Sequence, residues 1–229
     1  MNKLREFFPV SITVIGTAFL LVLTQWLNPR GSNNLATYFT YQGLSLLVSA
    51  AVVAAVWFLR GRKLEFARIG DLHAPASPNQ LLGIKTTDNW RNVGLTFAIA
   101  ISVVTSFFLL ANYANSFDGI SPLAWVIAFL AAIPLSAVNA LNEEVITRWS
   151  LVEGLGARNA RYAPGLSAII FGSVHYFGVP GGFIGCLMAA FLGWFLTKSI
   201  QDTRGIGWAW GIHFVQDVLI FTVTIASIV

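Results

Sequence analysis

Seven apolar runs, each close to the length of a membrane-spanning helix, divide this sequence. They cover approximately residues 8–27, 36–59, 92–112, 122–147, 163–177, 181–200 and 207–228. About 20 apolar residues in a helix cross the hydrocarbon core of a bilayer, where an open sheet would leave backbone groups without partners. The sequence therefore predicts an all-α protein, a polytopic transmembrane helical bundle of about seven helices.

The composition agrees with a membrane protein. Apolar residues make up 56% of the 229-residue chain and charged residues only 10%, whereas a soluble domain has about 25% charged residues. The formal net charge of +4 does not indicate a nucleic-acid partner, because the basic residues lie between the apolar runs and form no patch with aromatics. The single cysteine, Cys186, excludes an internal disulfide.

The distribution of basic residues predicts the orientation. With a cytoplasmic amino terminus and seven crossings, Arg30 alone falls outside, and the other Lys and Arg residues fall inside, as the positive-inside rule requires. These inside residues are Lys3, Arg5, Arg60, Arg62, Lys63, Arg68, Lys85, Arg91, Arg148, Arg158, Arg161, Lys198 and Arg204. The run 8–27 is too long for a signal peptide and lacks a small-x-small cleavage site, so we expect a retained helix.

Two features outside the apolar cores leave alternatives open. Residues 60–91 are polar and contain Pro75 and Pro78, so we expect a solvated cytoplasmic loop, with a short interfacial helix near 81–90 as the alternative. Small residues recur every fourth position in the last two runs, which allows close packing of helices within the chain or in a dimer. They are Gly181, Gly185, Ala189 and Gly193, then Gly207 and Gly211.

Three polar stretches interrupt the apolar runs: residues 143–148 (EEVITR), 171–175 (FGSVH) and 213–217 (HFVQD). An ionisable side chain in the hydrocarbon region costs about 2.5 to 3.5 kcal/mol for a centred Asp, Lys or Arg. Such residues are therefore typical of a functional site. The chain has no Walker loop, dinucleotide fingerprint or HExxH zinc motif, and we expect no cofactor.

The two glutamates of the first stretch have different predicted roles. Glu144 and Arg148 are four residues apart, glutamate first, which is the better orientation for an ion pair on one helical face. Glu143 is turned about 100° away and has no local cation, so it is available as a general base. The alternative is that both glutamates are interfacial charges near the headgroups.

The other stretches contribute His175, His213 and Asp217. His213 and Asp217 share a helical face, so Asp217 either fixes the imidazole tautomer or helps to present hydrogen-bond donors to an oxyanion. A lone histidine in an apolar helix is more often a packing residue. Here two of the three histidines lie in apolar segments with three carboxylates, which favours a site.

The order E-E-x-x-x-R, F-x-x-x-H and H-x-x-x-N/D resembles the CAAX protease and bacteriocin-processing family of intramembrane glutamic proteases. This family includes the type II CAAX prenyl endopeptidases and the lysostaphin resistance protein A-like proteins. The resemblance covers about residues 122–225. It implies a catalytic membrane domain at 92–229, preceded at 1–91 by two transmembrane helices and the polar loop.

The resemblance implies a peptidase in which Glu143 and His175 activate a water without a metal. His213 and Asp217 would stabilise the oxyanion, and Glu144, Arg148 and Phe171 would support the site. Asp217 departs from the Asn of the prenyl endopeptidases. Because an ionised Asp would repel an oxyanion, Asp217 must be protonated or act by holding a protonated His213.

Depth sets a further condition. At about 1.5 Å per residue, His213 lies about 9 Å and His175 about 18 Å from the starts of their helices. Convergence requires the fourth and fifth segments to tilt or break, with Pro134 and the Gly178–Gly182 break as possible places. We expect a cavity that opens toward the cytoplasm.

Three classes of function follow. The first is an intramembrane endopeptidase that acts on a membrane-associated or lipid-tethered peptide in the plasma membrane of a prokaryote. The second is a zinc peptidase, because histidines and carboxylates can bind Zn²⁺. The third is a non-catalytic immunity or partner-binding protein, or a proton-coupled carrier. The sequence predicts neither the substrate nor the oligomeric state.

Overall fold

A computed structural model describes residues 7–27, 34–178 and 181–229. The basic residues Lys3, Arg5 and Arg30 lie outside the described residues, as do Val179 and Pro180 of the predicted break. The described part contains no β-strand, and the prediction of an all-α membrane bundle is confirmed. Its α-helices are α1 (Phe8–Leu27), α2 (Leu35–Leu59), α3 (Trp90–Tyr113), α4 (Pro122–Glu144), α5 (Ser150–Asn159), α6 (Ala163–Val174), α7 (Gly182–Thr203) and α8 (Gly207–Ala226).

The number of spanning stretches differs from the predicted seven. Six described stretches are long and apolar enough to cross a membrane, and the fourth, Pro122–Phe177, contains both predicted segments 122–147 and 163–177. α6 has 12 residues, which corresponds to about 18 Å of helix and is shorter than the roughly 30 Å hydrocarbon core. The predicted fifth span is therefore a short helix within a larger helical unit.

Local sequence explains where several helices begin. Asn34, Asn89 and Ser121 precede α2, α3 and α4, and each side chain accepts a hydrogen bond from a backbone N–H of the first turn. Pro122 occupies the first position of α4, where its missing N–H has no intrahelical partner in any case. These caps fix the entry points of the helices that surround the site.

The chain does not break at Pro134, which lies inside an uninterrupted α4. Instead a π-helical turn, Val145–Trp149, continues α4 directly into α5. The sequence analysis did not anticipate α5, because Glu153, Gly154 and Gly156 make this segment polar and glycine-rich. The other predicted break, at Gly178–Gly182, is closer to the structure, because α6 ends at Val174 and a 3₁₀ turn follows at His175–Phe177.

Helix packing places α8 against both α3 and α4, while α6 packs along α7. Gly193 of α7 makes the second contact close: an added Cβ would lie 2.8 Å from the Ser167 carbonyl oxygen of α6. The structure therefore uses this end of the small-residue ridge for packing within the chain, one of the two alternatives. Trp210 of α8 donates from Nε1 to the Ala137 carbonyl of α4, at 3.0 Å.

The polar connection after α2 is an ordered cover and not merely a solvated loop. Its Ala74, Ala76 and Ile84 are buried, and its backbone N–H groups at residues 65 and 66 donate to Glu153 Oε2. Its only described helical turn is the 3₁₀ segment Gln80–Leu82, so the alternative of a short helix near 81–90 does not hold. This cover closes one end of the bundle.

The described basic residues mark that same end. Arg60 lies 3.9 Å from Glu153 and Arg204 lies 2.9 Å from Glu65, which joins the ends of α2, α5 and α7. Arg148 is the exception, because it is fully buried in the protein. Its charge is paired inside the protein with Glu144, at 2.7 Å. The end of the bundle with the basic residues is called the basic end below.

Candidate active site

Glu144 joins the first and third motifs in the interior of the bundle. Its Oε1 lies 2.7 Å from Arg148 Nη1 and 2.7 Å from His213 Nδ1, and the glutamate and arginine are fully buried. The predicted pair of Glu144 and Arg148 is confirmed. Because the carboxylate accepts from both neighbours, His213 Nδ1 carries hydrogen and Nε2 faces the other acidic groups.

The π-helical turn gives Arg148 its position. Val145–Trp149 winds more widely than an α-helix and is buried throughout, and single π turns often occur at functional sites. The guanidinium of Arg148 lies over the Phe171 ring, with Cζ 3.9 Å from the ring centroid. The buried cation therefore links the π turn to α6 through Phe171, and to His213 indirectly through Glu144.

Phe171 contacts both predicted catalytic histidines. Its ring centroid is 4.2 Å from that of His175 and 5.7 Å, edge to face, from that of His213. The side chain is 1% exposed. Phe171 therefore contacts both histidine rings and the arginine, and its supporting role in catalysis stays a prediction.

His175 lies in the 3₁₀ turn after α6. Its Nδ1 lies 2.8 Å from the Phe171 carbonyl oxygen, and since a carbonyl only accepts, Nδ1 is the donor. In the neutral ring, Nε2 then has a free lone pair. His175 and Glu143 both line the large cavity described below, so the structure places these two predicted residues at one site.

Glu143 is partly accessible, with 20% of its side chain exposed. Its Oε1 accepts from Asn139 Nδ2 at 3.1 Å, and its Oε2 lies 3.5 Å from His213 Nε2. The basic group within 4 Å of Glu143 is thus a histidine nitrogen from α8 and not a residue of α4. This carboxylate combines access to the cavity with a defined orientation, which a general base requires.

Asp217 does not form the direct bond with His213 that one alternative anticipated. Its Oδ1 lies 3.6 Å from His213 Nε2, longer than a hydrogen bond. Its Oδ2 instead accepts from Asn139 Nδ2 at 3.0 Å. The acid is 7% exposed and lines the same cavity as Glu143.

The sequence analysis missed Asn139, the amide that contacts both acids. An available signal was the spacing of four between Asn139 and Glu143, which puts a polar amide on the helical face of the glutamate. The other signal was Gln42 in an apolar run. Gln42 Nε2 donates to Asn139 Oδ1 at 2.9 Å, so α2 contributes to the site although the motifs lie elsewhere.

The cavity at this site has a volume of about 570 Å³ and a mainly apolar lining. Glu143, His175, His213 and Asp217 all line it. A smaller cavity of about 190 Å³ meets the same Glu143 and His175 from the side of α1. Apolar walls with a few convergent polar groups are typical of a ligand site.

The large cavity extends away from the basic end. Its walls include Leu27 at the end of α1, Tyr38 in the first turn of α2 and Thr224 in the last turn of α8. These positions lie at the ends of their helices remote from the basic residues. If the basic end is cytoplasmic, as the positive-inside rule predicts, the cavity does not open toward the cytoplasm, so the two expectations are incompatible.

The arrangement was also compared with the requirements of a metal site. The described residues contain no group of three or more His, Cys, Asp or Glu side chains placed to hold a metal ion. Glu144, itself paired with Arg148, already occupies the Nδ1 side of His213. The remaining groups around Nε2 can position a water molecule and a polarised carbonyl group, which is the chemistry of acid–base hydrolysis.

Comparison with known proteins identifies one family. Residues 124–219 match the family described as "Type II CAAX prenyl endopeptidase Rce1-like", and this range contains all three motifs. Neither the curated proteins nor the solved structures give a match. The match supports hydrolase as the general class of activity. With six described apolar helical stretches, the chain is an integral membrane protein, and its residues 124–219 are similar to the CAAX prenyl endopeptidases of that family.

Proposed function

We propose that this protein is an intramembrane endopeptidase that hydrolyses a peptide bond in a membrane-associated or lipid-tethered substrate, without a metal. One observation carries the proposal: Glu143, His175, His213 and Asp217, from three separate helical segments, line a single cavity inside the bundle. Because ionisable groups are costly in a membrane, their convergence on one cavity supports catalysis.

The reaction begins with a water molecule between Glu143 and His175. Glu143 takes a proton from the water while the free Nε2 of His175 orients it, and the resulting hydroxide attacks the peptide carbonyl. Glu143 then gives the proton to the leaving amine as the C–N bond breaks. The proton is thereby returned and the carboxylate is regenerated.

His213 supports the tetrahedral intermediate in this proposal. With Nδ1 held by Glu144 at 2.7 Å, a doubly protonated ring donates from Nε2 to the oxyanion. Asp217, 3.6 Å from Nε2, balances the charge of that ring instead of contacting the oxyanion. This assignment resolves the repulsion that an ionised Asp217 would otherwise exert.

Access follows from the shape of the cavity. Its apolar walls fit a substrate segment that lies in or enters the bilayer, and its extension away from the basic end favours entry from the opposite face or from the membrane. We place the protein in a prokaryotic plasma membrane with the basic end in the cytoplasm. Both N-terminal helices contribute to the cavity in this proposal, α1 through Thr24 and Leu27 and α2 through Tyr41 and Gln42.

The test compares peptides in membranes that contain the wild type, Glu143→Gln or no protein, followed by kinetics on a peptide that only the wild type produces. Loss of a general base lowers kcat by about 10²- to 10⁴-fold. Glu65→Gln is the matched control, because Glu65 is half exposed at the basic end and its loss leaves turnover unchanged. Equal turnover by wild type and Glu143→Gln would remove the proposal.

The same preparation distinguishes the zinc alternative. His213 lies near three carboxylates, which is the observation that favours a metal. A metal-independent enzyme retains its activity after exhaustive chelation and contains no stoichiometric zinc by elemental analysis. Loss of activity on chelation with recovery on adding Zn²⁺ would assign the water activation to the metal instead.

A further inference from the structure

We propose that Asn139 is a positioning residue, which holds the Glu143 and Asp217 carboxylates in their places by donating one N–H to each. This inference rests on the proposed function for its kinetic consequences. Asn139 Nδ2 lies 3.1 Å from Glu143 Oε1 and 3.0 Å from Asp217 Oδ2. A side-chain amide has two N–H groups, so one nitrogen serves both acids.

The orientation of this amide is determined by its other neighbour. Gln42 Nε2 donates to Asn139 Oδ1 at 2.9 Å, which leaves the Asn139 NH₂ group on the side of the carboxylates. The opposite orientation would place a carbonyl oxygen against two carboxylates and an NH₂ group against another NH₂ group. The flipped amide is therefore excluded by its hydrogen-bond partners.

The chain of hydrogen bonds continues into α2, and each donor in it points toward the two carboxylates. Ser49 Oγ donates to Asn142 Oδ1 at 2.7 Å, and Asn142 Nδ2 contacts Gln42 Oε1 at 3.5 Å. Gln42 then donates to Asn139, and Asn139 to the two acids. Because every link donates toward the carboxylates, the dipoles add and stabilise negative charge at the end of the chain.

The shared amide holds together two carboxylates that would otherwise repel each other. Two carboxylates in a medium of low dielectric repel each other strongly, and neither Glu143 nor Asp217 has an arginine or lysine partner among the described contacts. A shared amide holds both at fixed places without introducing a competing cation. Glu143 thereby keeps its Oε2 directed toward His213, 3.5 Å away.

The experiment uses Asn139→Leu, which keeps a similar size and removes both donors. A misplaced general base costs about 10²-fold in kcat, while KM changes little because Asn139 is not a binding group for an apolar substrate. Asn139→Gln is the conservative variant and restores part of kcat. An effect on KM with unchanged kcat would contradict the proposal.

An exchange of the two groups tests the pair directly. N139D places a third carboxylate at the site, and adding D217N again gives one amide beside two carboxylates. We expect the exchange variant to be about tenfold more active than N139D, and to unfold at a higher temperature, because the two positions are coupled. Effects that simply add, in both kcat and unfolding temperature, would overturn the proposal.

The controls separate this inference from the proposed function. Thr13→Val removes a buried hydrogen bond between α1 and α5, with Thr13 Oγ1 2.6 Å from Ser150 Oγ, and leaves kcat within about twofold since distant sites act independently. The unfolding cycle needs no substrate. If the wild type cleaves no peptide, the proposed function fails, whereas coupling in unfolding still establishes the amide bridge and its absence removes it.

Discussion

The buried ion pair of Glu144 and Arg148 allows a quantitative prediction about stability. Arg148→Met removes the cation and keeps an unbranched side chain of similar length. The glutamate and arginine have no solvent exposure, and their nearest atoms are 2.7 Å apart. The change leaves a buried carboxylate whose described partner is His213 Nδ1, together with a Phe171 ring that has lost its cation.

The size of the effect follows from this burial. Removal of one partner of a buried pair costs about 3 to 5 kcal/mol, because the remaining charge is uncompensated. In a protein of this length, that corresponds to a decrease in unfolding temperature of about 6 to 20 °C. Removal of both charges in Glu144→Gln with Arg148→Met costs less than the single change, since no isolated charge remains.

The assay is thermal unfolding in one detergent, followed by tryptophan fluorescence, for the wild type, both single variants and the double variant. Glu65→Gln is the control, because its pair with Arg204 is about half exposed and contributes at most about 1 kcal/mol. The reasoning is refuted if Arg148→Met unfolds within the range of Glu65→Gln, or if the double variant is less stable than Arg148→Met.

The remaining predictions concern packing and topology. Gly193→Leu is expected to lower both the unfolding temperature and kcat. The leucine side chain would collide with the Ser167 carbonyl and push α6, which leads into His175, away from α7. An unchanged unfolding temperature would contradict the close contact. The orientation is tested in a Cys186→Ser background with a maleimide that does not cross membranes. It is expected to label Asp118→Cys in intact cells and Lys63→Cys only after lysis. The reverse pattern would refute a cytoplasmic basic end.

Much of the bundle could be predicted from sequence because apolar length is a local property. Runs of about 20 apolar residues set α1, α2, α3, α7 and α8 to within a few residues, and the order of the motifs pointed to the same family that residues 124–219 match. The α5 helix could not be found in this way. Glu153 gives that segment a polar appearance, yet its carboxylate is buried by accepting from two backbone N–H groups of the loop after α2.

In the site, too, the sequence predicts contacts within one helix but not contacts between helices. Spacing within one helix predicted the pair of Glu144 and Arg148, because residues four apart are neighbours in any α-helix. The bond from His213 to Glu144 joins residues 69 positions apart, and spacing within a helix says nothing about such a contact. Asn139 shows the same contrast, since its spacing of four from Glu143 was readable in the sequence but its contacts with Gln42 on α2 and Asp217 on α8 were not.

The direction of the cavity connects these observations to the entry of substrate. The loop after α2 and the helix α5 fill the basic end, where Leu151 and Ile146 are completely buried. The large cavity lies on the other side of Glu143, between the far halves of α2, α7 and α8. The sequence analysis expected a cavity that opens toward the basic end, whereas the large cavity extends toward the opposite end. The labelling of Asp118→Cys and Lys63→Cys therefore also determines from which side of the membrane a peptide reaches Glu143.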